Sequence, residues 1–496
     1  MANTSSNAVG SPAAVVPAWA RGPVLAVLAG YAVLFGLTVG RGATTPFNEP
    51  YFAAAGTYHP AVTYADQPIG LPLLARIAGV IAPDSLLALR LPAVLLTLAG
   101  VLVASLLARE LGGGRAAQVL AAVMYGALGV SPGWTELETT SFDPQLWVGI
   151  VYLLVLWINR PEWRQRDVLL FGAGLLTALA LQVKYLVPVL WVGLVIGLVT
   201  LGPRRILTRP ALWAGGAVAL ASTIPALLWQ ARHGWPQAAM TDYLGAQADV
   251  APLGMVTGSL LAVGPLGVAL LPLGIYGLVA LRELRPFRFL VAALVIAAAA
   301  VVVGKGRPDY VAGLAVVAAI AGLVTAERLA AGLRNRRADV ARRSLFGVTA
   351  VLRAALPLAL GLQRFTEPVG PVRPPFVDAV AQVASQNPGA PLVVETYEAA
   401  GKLEYFGPAV GIAPGRVYSP HLGYWYFGPP RDTATVLYLG RSSAVPDAVR
   451  TTFGTVERIA DVPGDDTVGD TTLWRLTGAL RPWSAVWPDL NELARK

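Results

Sequence analysis

The chain has 496 residues, of which 55% are hydrophobic and only 14% are charged, and its formal net charge is +9. Soluble domains carry roughly a quarter charged residues, so this composition excludes an ordinary soluble protein. The chain contains no cysteine, which excludes disulfides, thiolate catalysis and cysteine-ligated metals. Its three histidines, His59, His233 and His421, lie far apart in the sequence, so no zinc site is expected.

The apolar residues occur in long continuous runs. Such runs predict membrane-spanning helices rather than a barrel, because a helix of roughly 20 apolar residues satisfies its own backbone in lipid. Residues 1–22 are predicted to form a disordered cytoplasmic N-terminus, and residues 23–363 a polytopic transmembrane domain. The runs predict about eleven spans, at residues 23–40, 86–108, 116–131, 143–158, 168–182, 185–201, 211–231, 254–281, 287–303, 310–330 and 344–362.

Most of the arginines fall in alternate loops between these predicted spans. The positive-inside rule places those loops, and with them the N-terminus, in the cytoplasm. An odd number of spans then places the C-terminus outside. The basic charge is therefore attributed to membrane topology and not to nucleic acid, and the chain is predicted to be a multi-pass protein of the cytoplasmic membrane.

The first external loop is predicted over residues 41–85. Its segment IGLPLLARIAGVIAP is amphipathic and too short to span, which predicts a helix lying in the membrane interface. Residues 364–496 change in character and predict an extracytoplasmic α/β domain. Within that domain, VDAVAQVASQN predicts a helix, and PLVVETY, ATVLYLG and TTLWRLTG predict buried strands.

Charged side chains on the predicted outer face suggest the chemistry. A carboxylate at a membrane boundary, such as Glu49, is costly unless it is solvated, paired or used. Lys184, Lys305 and Arg307 are external cations, which the positive-inside rule disfavours. They fit either snorkelling to lipid headgroups or the binding of a phosphate. Carboxylates beside a phosphate site in a membrane protein suggest transfer of a group from a phospholipid carrier.

Several motifs occur in a characteristic order: FNEPYF (47–52), YADQPIGLPLLARIAG (64–79), TTSFDPQLW (139–147), LQVKY (181–185), PALLWQARHGWP (225–236) and GKGRPDY (304–310). In these motifs the chain resembles the GT-C glycosyltransferases of the protein mannosyltransferase and aminoarabinose transferase type, particularly their actinobacterial branch. LEYFGP and YWYFGPP in the C-terminal part are also similar, so the resemblance covers nearly the whole chain.

The resemblance implies an inverting membrane glycosyltransferase. It implies a polyprenyl-phosphate sugar as donor, no metal or other cofactor, membrane lipids as surroundings, and a hydroxyl of a glycan, lipid or protein as acceptor. The reaction would take place on the outer face of the membrane. Two readings from other classes stay open: a transporter of a lipid-linked or small anionic substrate, and an inactive scaffold of the same fold.

The resemblance also implies the site residues. The family's first loop reads Asp-Glu, with the Asp as expected general base, whereas this chain has Asn48 followed by Glu49. An amide takes no proton at neutral pH, so the base is Glu49 or Asp66, or else Asn48 marks an inactive chain. The implied substrate-binding residues, of which the last three form the phosphate-binding segment, are Asn48, Tyr51, Asp143, Lys184, Tyr185, His233, Lys305, Arg307 and Tyr310.

Overall fold

The computed structural model describes residues 16–42, 48–130, 134–247, 254, 263–264, 267–332, 370–441, 444–465, 467–491 and 493. Up to residue 332 the described chain is almost entirely helical. Its helices are α1 (Arg21–Thr38), α2 (Glu49–Tyr58), α3 (Gly70–Ile81), α4 (Leu86–Glu110), α5 (Arg115–Leu128), α6 (Thr139–Asn159), α7 (Asp167–Val183), α8 (Val187–Thr200), α9 (Pro210–Arg232), α10 (Pro236–Gln247), α11 (Gly267–Ala280), α12 (Phe289–Val303) and α13 (Ala312–Gly332).

Helices occupy most of the described part of each of the first ten predicted spans, and the chain is a multi-pass membrane protein. The eleventh predicted span, 344–362, and residues 255–262 and 265–266 of the eighth lie outside the described residues. Five segments are long and apolar enough to cross a membrane by themselves: α1, α4, α6, α9 and Pro308–Gly332. The remaining apolar helices are shorter than the roughly 20 residues that a bilayer core requires, so the predicted number of eleven spans is not confirmed.

Burial separates the central helices of the bundle from the peripheral ones. In the most apolar window of α6, 72% of the residues are buried, and in that of Pro308–Gly332 the share is 83%. In α1 and α9 the share falls to 22% and 28%, so these two helices present most of their apolar surface to lipid. The starts of α6 and α13 lie side by side, because a Cβ on Gly313 would lie 2.9 Å from the carbonyl oxygen of Pro144.

The N-terminal boundary differs from the prediction of a disordered segment through residue 22. Helix α1 begins at Arg21, and the described residues ahead of it are held by hydrogen bonds. Trp19 donates its indole N–H to Ser105 Oγ at 3.2 Å, and Arg109 donates to the carbonyl of Pro17 at 2.9 Å. Hydrogen bonds with α4 and packing of Trp19 thus hold the described residues directly ahead of α1 against the helical bundle.

The first loop contains two short helices, α2 and α3. The prediction of an amphipathic interfacial segment is confirmed in its helical form by α3. Leu71, Ala75 and Ala78 of this helix are buried, whereas Leu73 and Ile77 on its opposite face are exposed. Exposed aliphatic side chains on a short helix are typical of a segment that lies along a membrane surface.

Residues 370–493, here called the C-terminal module, contain a mixed five-stranded sheet. A separate strand pair, β1 (Arg41–Gly42) parallel to β2 (Gly370–Pro371), ties the start of the module to the first loop. The sheet has the strand order β4-β3-β5-β7-β6 and consists of β3 (Leu392–Val394), β4 (Val417–Tyr418), β5 (Thr435–Gly440), β6 (Phe453–Val462) and β7 (Thr471–Ala479). β3 runs parallel to β4 and β5, while β7 is antiparallel to β5 and β6.

The three predicted strands are confirmed as β3, β5 and β7, and the predicted helix as α14 (Pro375–Gln386). Strand β6 is absent from the prediction. It is an edge strand with mostly exposed residues, including Glu457 and Arg458, so it lacks the apolar run that marks a buried strand. The module also contains α15 (Tyr397–Phe406), α16 (Asp447–Arg450) and α17 (Trp483–Val486).

The module packs directly on helix α2 of the first loop. Two glycines allow the close approach. A Cβ on Gly401 of α15 would lie 2.8 Å from the Cα of Tyr51, and one on Gly423 would lie 2.6 Å from a carboxylate oxygen of Asp66. A side chain at position 401 would meet the backbone of α2, and one at position 423 would displace the Tyr51 and Asp66 side chains. Tyr51 and Asp66, two of the predicted site residues, therefore lie at this junction.

Candidate active site

Glu49 is buried in an ion pair with Arg90 of α4. Two guanidinium nitrogens of Arg90 donate to the carboxylate at 3.0 and 2.7 Å, and the backbone N–H of Leu137 donates to it at 3.0 Å. The exposed fraction is 1% for Glu49 and 2% for Arg90. With these three donors and an exposed fraction of 1%, the carboxylate is almost completely closed off from a substrate. This geometry is that of a buried pair joining α2 to α4, and the role of Glu49 as one of two possible bases stays a prediction.

Asn48 lies at the centre of a second polar cluster. Its backbone N–H donates to Glu138 Oε1 at 2.8 Å, and its side-chain amide donates to Glu138 Oε2 at 2.9 Å. Its amide oxygen accepts a hydrogen bond from the Tyr397 hydroxyl at 3.0 Å. One residue of the first loop thus joins the start of α6 to the C-terminal module.

Glu138 is the residue that precedes α6, yet its side chain does not cap that helix. The carboxylate turns instead toward Asn48. Burial raises the pKa of Glu138 to about 7, and the two hydrogen bonds from Asn48 oppose this rise only in part. A carboxyl group with a pKa near neutrality exchanges a proton readily at physiological pH, which is what acid–base catalysis requires.

Tyr51 connects this cluster to Asp66. Its hydroxyl donates to the two carboxylate oxygens of Asp66 at 2.9 and 3.0 Å, and its ring lies 5.3 Å from that of Tyr397. Burial raises the pKa of Asp66 to about 6, against the lowering effect of the Tyr51 hydrogen bond. Glu138, Asn48, Tyr397, Tyr51 and Asp66 therefore form a continuous row.

Cations approach this row from the segment between α12 and α13. Arg307 is 65% exposed and pairs with Asp309 at 3.1 Å, and its charge acts on both Glu138 and Tyr397. Lys184, which follows α7, places its ammonium 3.6 Å from the centre of the Tyr310 ring.

Asp143 belongs to the same group. It is buried on α6, where it accepts a hydrogen bond from Trp147, and the charges of Lys184 and Asp309 act on it. Positive and negative groups from four separate segments of the chain thus converge on one face of the bundle, here called the site face.

Three predicted residues lie at the margin of this group. Lys305 is exposed and adopts a left-handed backbone conformation with φ of 49°. Tyr185 is half-buried beside Thr63 of the first loop. His233 is exposed and stacks on Trp229 with ring centres 3.9 Å apart, which makes it a support for that ring.

Sequence reasoning missed Arg90, Glu138 and Tyr397 as members of this site. Glu138 lies in the acidic stretch TELETT, which indicated an acidic external loop without distinguishing one carboxylate from its neighbours. Arg90 falls inside a predicted span, where burying a charge costs free energy unless the charge is paired. Its position in the sequence therefore indicated a buried acidic partner. Nothing local marks Tyr397.

No curated protein matches this sequence. Residues 66–229 match the family model described as dolichyl-phosphate-mannose-protein mannosyltransferase. Among solved structures, ArnT from Cupriavidus metallidurans bound to undecaprenyl phosphate is similar with a TM-score of 0.60 and 16% identity, over 91% of this chain and 98% of that one. The chain has the GT-C fold.

Two further structures are similar at this level. The archaeal oligosaccharyltransferase AglB from Archaeoglobus fulgidus, in complex with an inhibitory peptide and a dolichol-phosphate, gives a TM-score of 0.51 and 15% identity, over 77% of this chain and 63% of that one. The mycobacterial arabinofuranosyltransferase AftD, as an R1389S mutant, gives a TM-score of 0.52 and 16% identity, over 92% of this chain and 41% of that one. The GT-C resemblance drawn from the motifs is therefore confirmed.

Proposed function

We propose that this chain is a membrane glycosyltransferase that moves a sugar from a polyprenyl-phosphate donor to an acceptor hydroxyl, with inversion at the anomeric carbon. The observation that carries the proposal is the position of Glu138. This buried carboxylate has a pKa near neutrality, is held by Asn48, and lies within the electrostatic reach of Arg307. A base beside a phosphate-binding cation is the arrangement that such a transfer needs.

Glu138 fits the role of base better than the two carboxylates expected from the sequence. Glu49 is neutralised by Arg90. Asp66 lies at the other end of the row from Arg307, whose charge acts on Glu138 and Tyr397. Glu138 thus takes the function that the family places on the residue replaced here by Asn48, and Asn48 holds the Glu138 carboxylate in position.

The reaction then proceeds in one displacement. Glu138 accepts the proton of the acceptor hydroxyl as the hydroxyl oxygen attacks the anomeric carbon of the donor sugar. The new glycosidic C–O bond forms while the bond from the anomeric carbon to the phosphate oxygen breaks. The polyprenyl phosphate leaves with the electron pair of that bond, and attack from the opposite side inverts the anomeric centre.

The cations stabilise the leaving phosphate. Arg307 offers a planar fork of N–H donors, and Lys184 offers a compact charge that the Tyr310 ring holds in place. Preorganised positive groups aimed at developing negative charge lower the barrier without a metal ion. The excess of arginines in the alternate loops supports an orientation in which the site face and the C-terminal module lie outside the cytoplasmic membrane.

Reconstituted full-length protein is expected to transfer sugar from radiolabelled polyprenyl-phosphate donors, tested with mannose, arabinose and amino-sugar headgroups. Lys184→Gln and Arg307→Gln are each expected to weaken donor binding by about 10–100-fold, because each removes a hydrogen bond to a charged group worth roughly 1.5–3 kcal/mol. The KM for the donor and direct binding of undecaprenyl phosphate report this loss.

Arg232→Gln is the matched control, because Arg232 is an exposed cation at the end of α9 on the same face. It is expected to leave donor binding unchanged. Equal donor affinity in all three variants would remove the phosphate site. Uptake of a lipid-linked substrate into vesicles without any transfer would point to transport instead.

Replacing Asn48 by an acid tests the role of Glu138 as base through the pH dependence of activity. In the wild type, activity is expected to rise with pH through about 7, because Glu138 must lose its proton to act as base. Asn48→Asp places a second carboxylate against Glu138, and like charges raise a pKa. The rising limb of kcat/KM is expected to move to higher pH by about 1 unit or more. A variant with an unmoved profile and higher activity would show that the wild type lacks its base.

A further inference from the structure

A cleft of about 230 Å³ lies between the first loop, the end of α9 and the C-terminal module. Its walls are largely aromatic. Tyr64 comes from the first loop, Trp229 from α9, and Tyr426 and Phe427 from the module. The mechanism described above uses none of these side chains.

The walls are fixed by contacts behind the cleft. His59 stacks on Phe427 with ring centres 4.0 Å apart and planes parallel to within 1°, and its Nε2 lies 3.0 Å from Glu404. Gln230 is buried and donates to the Tyr64 carbonyl at 3.1 Å. A preformed cleft of this kind binds its ligand with little ordering cost.

The lining indicates a small neutral ligand with polar groups. Apart from tyrosines, only His59 among the lining residues is titratable, so nothing there neutralises a phosphate. The Thr63 hydroxyl makes a long hydrogen bond, 3.4 Å, to the Gln67 carbonyl and lies beside Tyr185, and the Trp229 indole N–H has no partner within the described part of the chain. Aromatic faces with a few polar groups suit a sugar ring, which has apolar C–H faces and a rim of hydroxyls.

The size and position of the cleft further limit the kind of ligand that it can bind. The volume is below the roughly 300–1,000 Å³ of common ligand pockets, so the cleft holds about one ring. Ala65 lines it, and the next residue, Asp66, begins the row that leads through Tyr51 to the cluster at Asn48. The cleft therefore lies beyond the opposite end of the row from Arg307, whose charge acts on Glu138 and Tyr397.

We propose that this cleft is a subsite for a neutral sugar of the acceptor. The inference rests on the proposed glycosyl transfer and adds the class of acceptor: a glycan with at least one sugar beyond the ring that carries the attacking hydroxyl. The ring in the cleft stacks on Trp229 and Tyr426, and its hydroxyls meet Thr63.

Saturation-transfer NMR on the full-length protein in lipid nanodiscs tests the subsite with three probes: mannotriose, α-1,5-arabinotriose and maltotriose. At least one of them is expected to bind the wild type and to bind Trp229→Leu at least tenfold more weakly. Trp213→Leu is the matched control, because Trp213 is 62% exposed on the same helix. It lies about 24 Å away along the helix axis, and its removal is expected to change nothing.

Tyr426→Leu removes the neighbouring aromatic wall, whose ring centre lies 5.7 Å from that of Trp229, and is expected to reproduce the loss, which keeps the test valid should Trp229→Leu fail to fold. The proposal is overturned when no trisaccharide binds the wild type, when the Trp229 and Trp213 variants bind alike, or when geranyl phosphate and not a sugar depends on Trp229. Undecaprenyl-phosphate binding is measured on the same samples. If the wild type does not bind this lipid, the result counts against the proposed donor site and not against the cleft.

Discussion

Glu138→Gln is expected to lower kcat by about 10²–10⁴-fold, the usual contribution of a general base. Glutamine preserves the shape of the side chain and still accepts the backbone N–H of Asn48 through its remaining oxygen. It has no basic carboxylate to accept the proton of the acceptor hydroxyl. Donor KM is expected to change little, because the phosphate is held by other residues, and kcat measured under donor saturation reports the effect.

Asp66→Asn provides the comparison for this result. Asp66 lies at the other end of the row, next to the aromatic cleft, so its amide variant is expected to raise the acceptor KM more than it lowers kcat. The reverse pattern, with full turnover in Glu138→Gln and none in Asp66→Asn, would assign the base to Asp66. It would leave Glu138 as a group that only positions Asn48.

Glu49→Gln is expected to destabilise the protein by about 3–5 kcal/mol without changing the chemistry of the molecules that remain folded. The change leaves the Arg90 guanidinium buried without its counter-ion, and that is the cost typical of breaking a buried pair. The melting temperature of the purified protein, together with kcat per folded molecule, separates the two effects.

The double variant Glu49→Leu/Arg90→Met is the matched control. Replacing both charges by apolar groups of similar volume removes the pair without leaving an unpaired charge, which is often nearly neutral for stability. Most of the lost melting temperature is therefore expected to return. A Glu49→Gln protein that melts normally and yet transfers no sugar would instead identify Glu49 as the base.

The sequence predicted the features that depend on local pattern. Helices at the first ten apolar runs, the amphipathic helix at Gly70–Ile81 and three strands of the module follow from periodicity over a few turns or residues. The grouping of Lys184 with Tyr310 at the site face was accessible as well, because both lie at the ends of predicted spans on the same predicted side.

The carboxylates show why the rest was not predictable. Glu49 and Glu138 are both acids in loops of the same predicted face, and their roles differ only through distant partners. Arg90, which neutralises Glu49, is 41 residues away, and Asn48 lies 90 residues from Glu138. Tyr397 reaches Asn48 from 349 residues further along the chain. Contacts between residues so far apart in the chain depend on how the helices and the C-terminal module pack together. That packing cannot be read from the local patterns of a single sequence.

The two glycine contacts at the junction between α2 and the C-terminal module restrict how this protein can be recombined with its relatives. Gly401 admits the backbone of Tyr51 at a distance that leaves no room for a side chain, and Gly423 admits the carboxylate of Asp66, which a side chain there would displace. A hybrid protein whose two parts are joined between residues 332 and 370 would place the C-terminal module of a relative against the first loop of this chain. Where that module carries a larger residue at either glycine position, its side chain would clash with the first loop. In such a hybrid, residues 48–67 and the C-terminal module therefore have to come from the same parent protein.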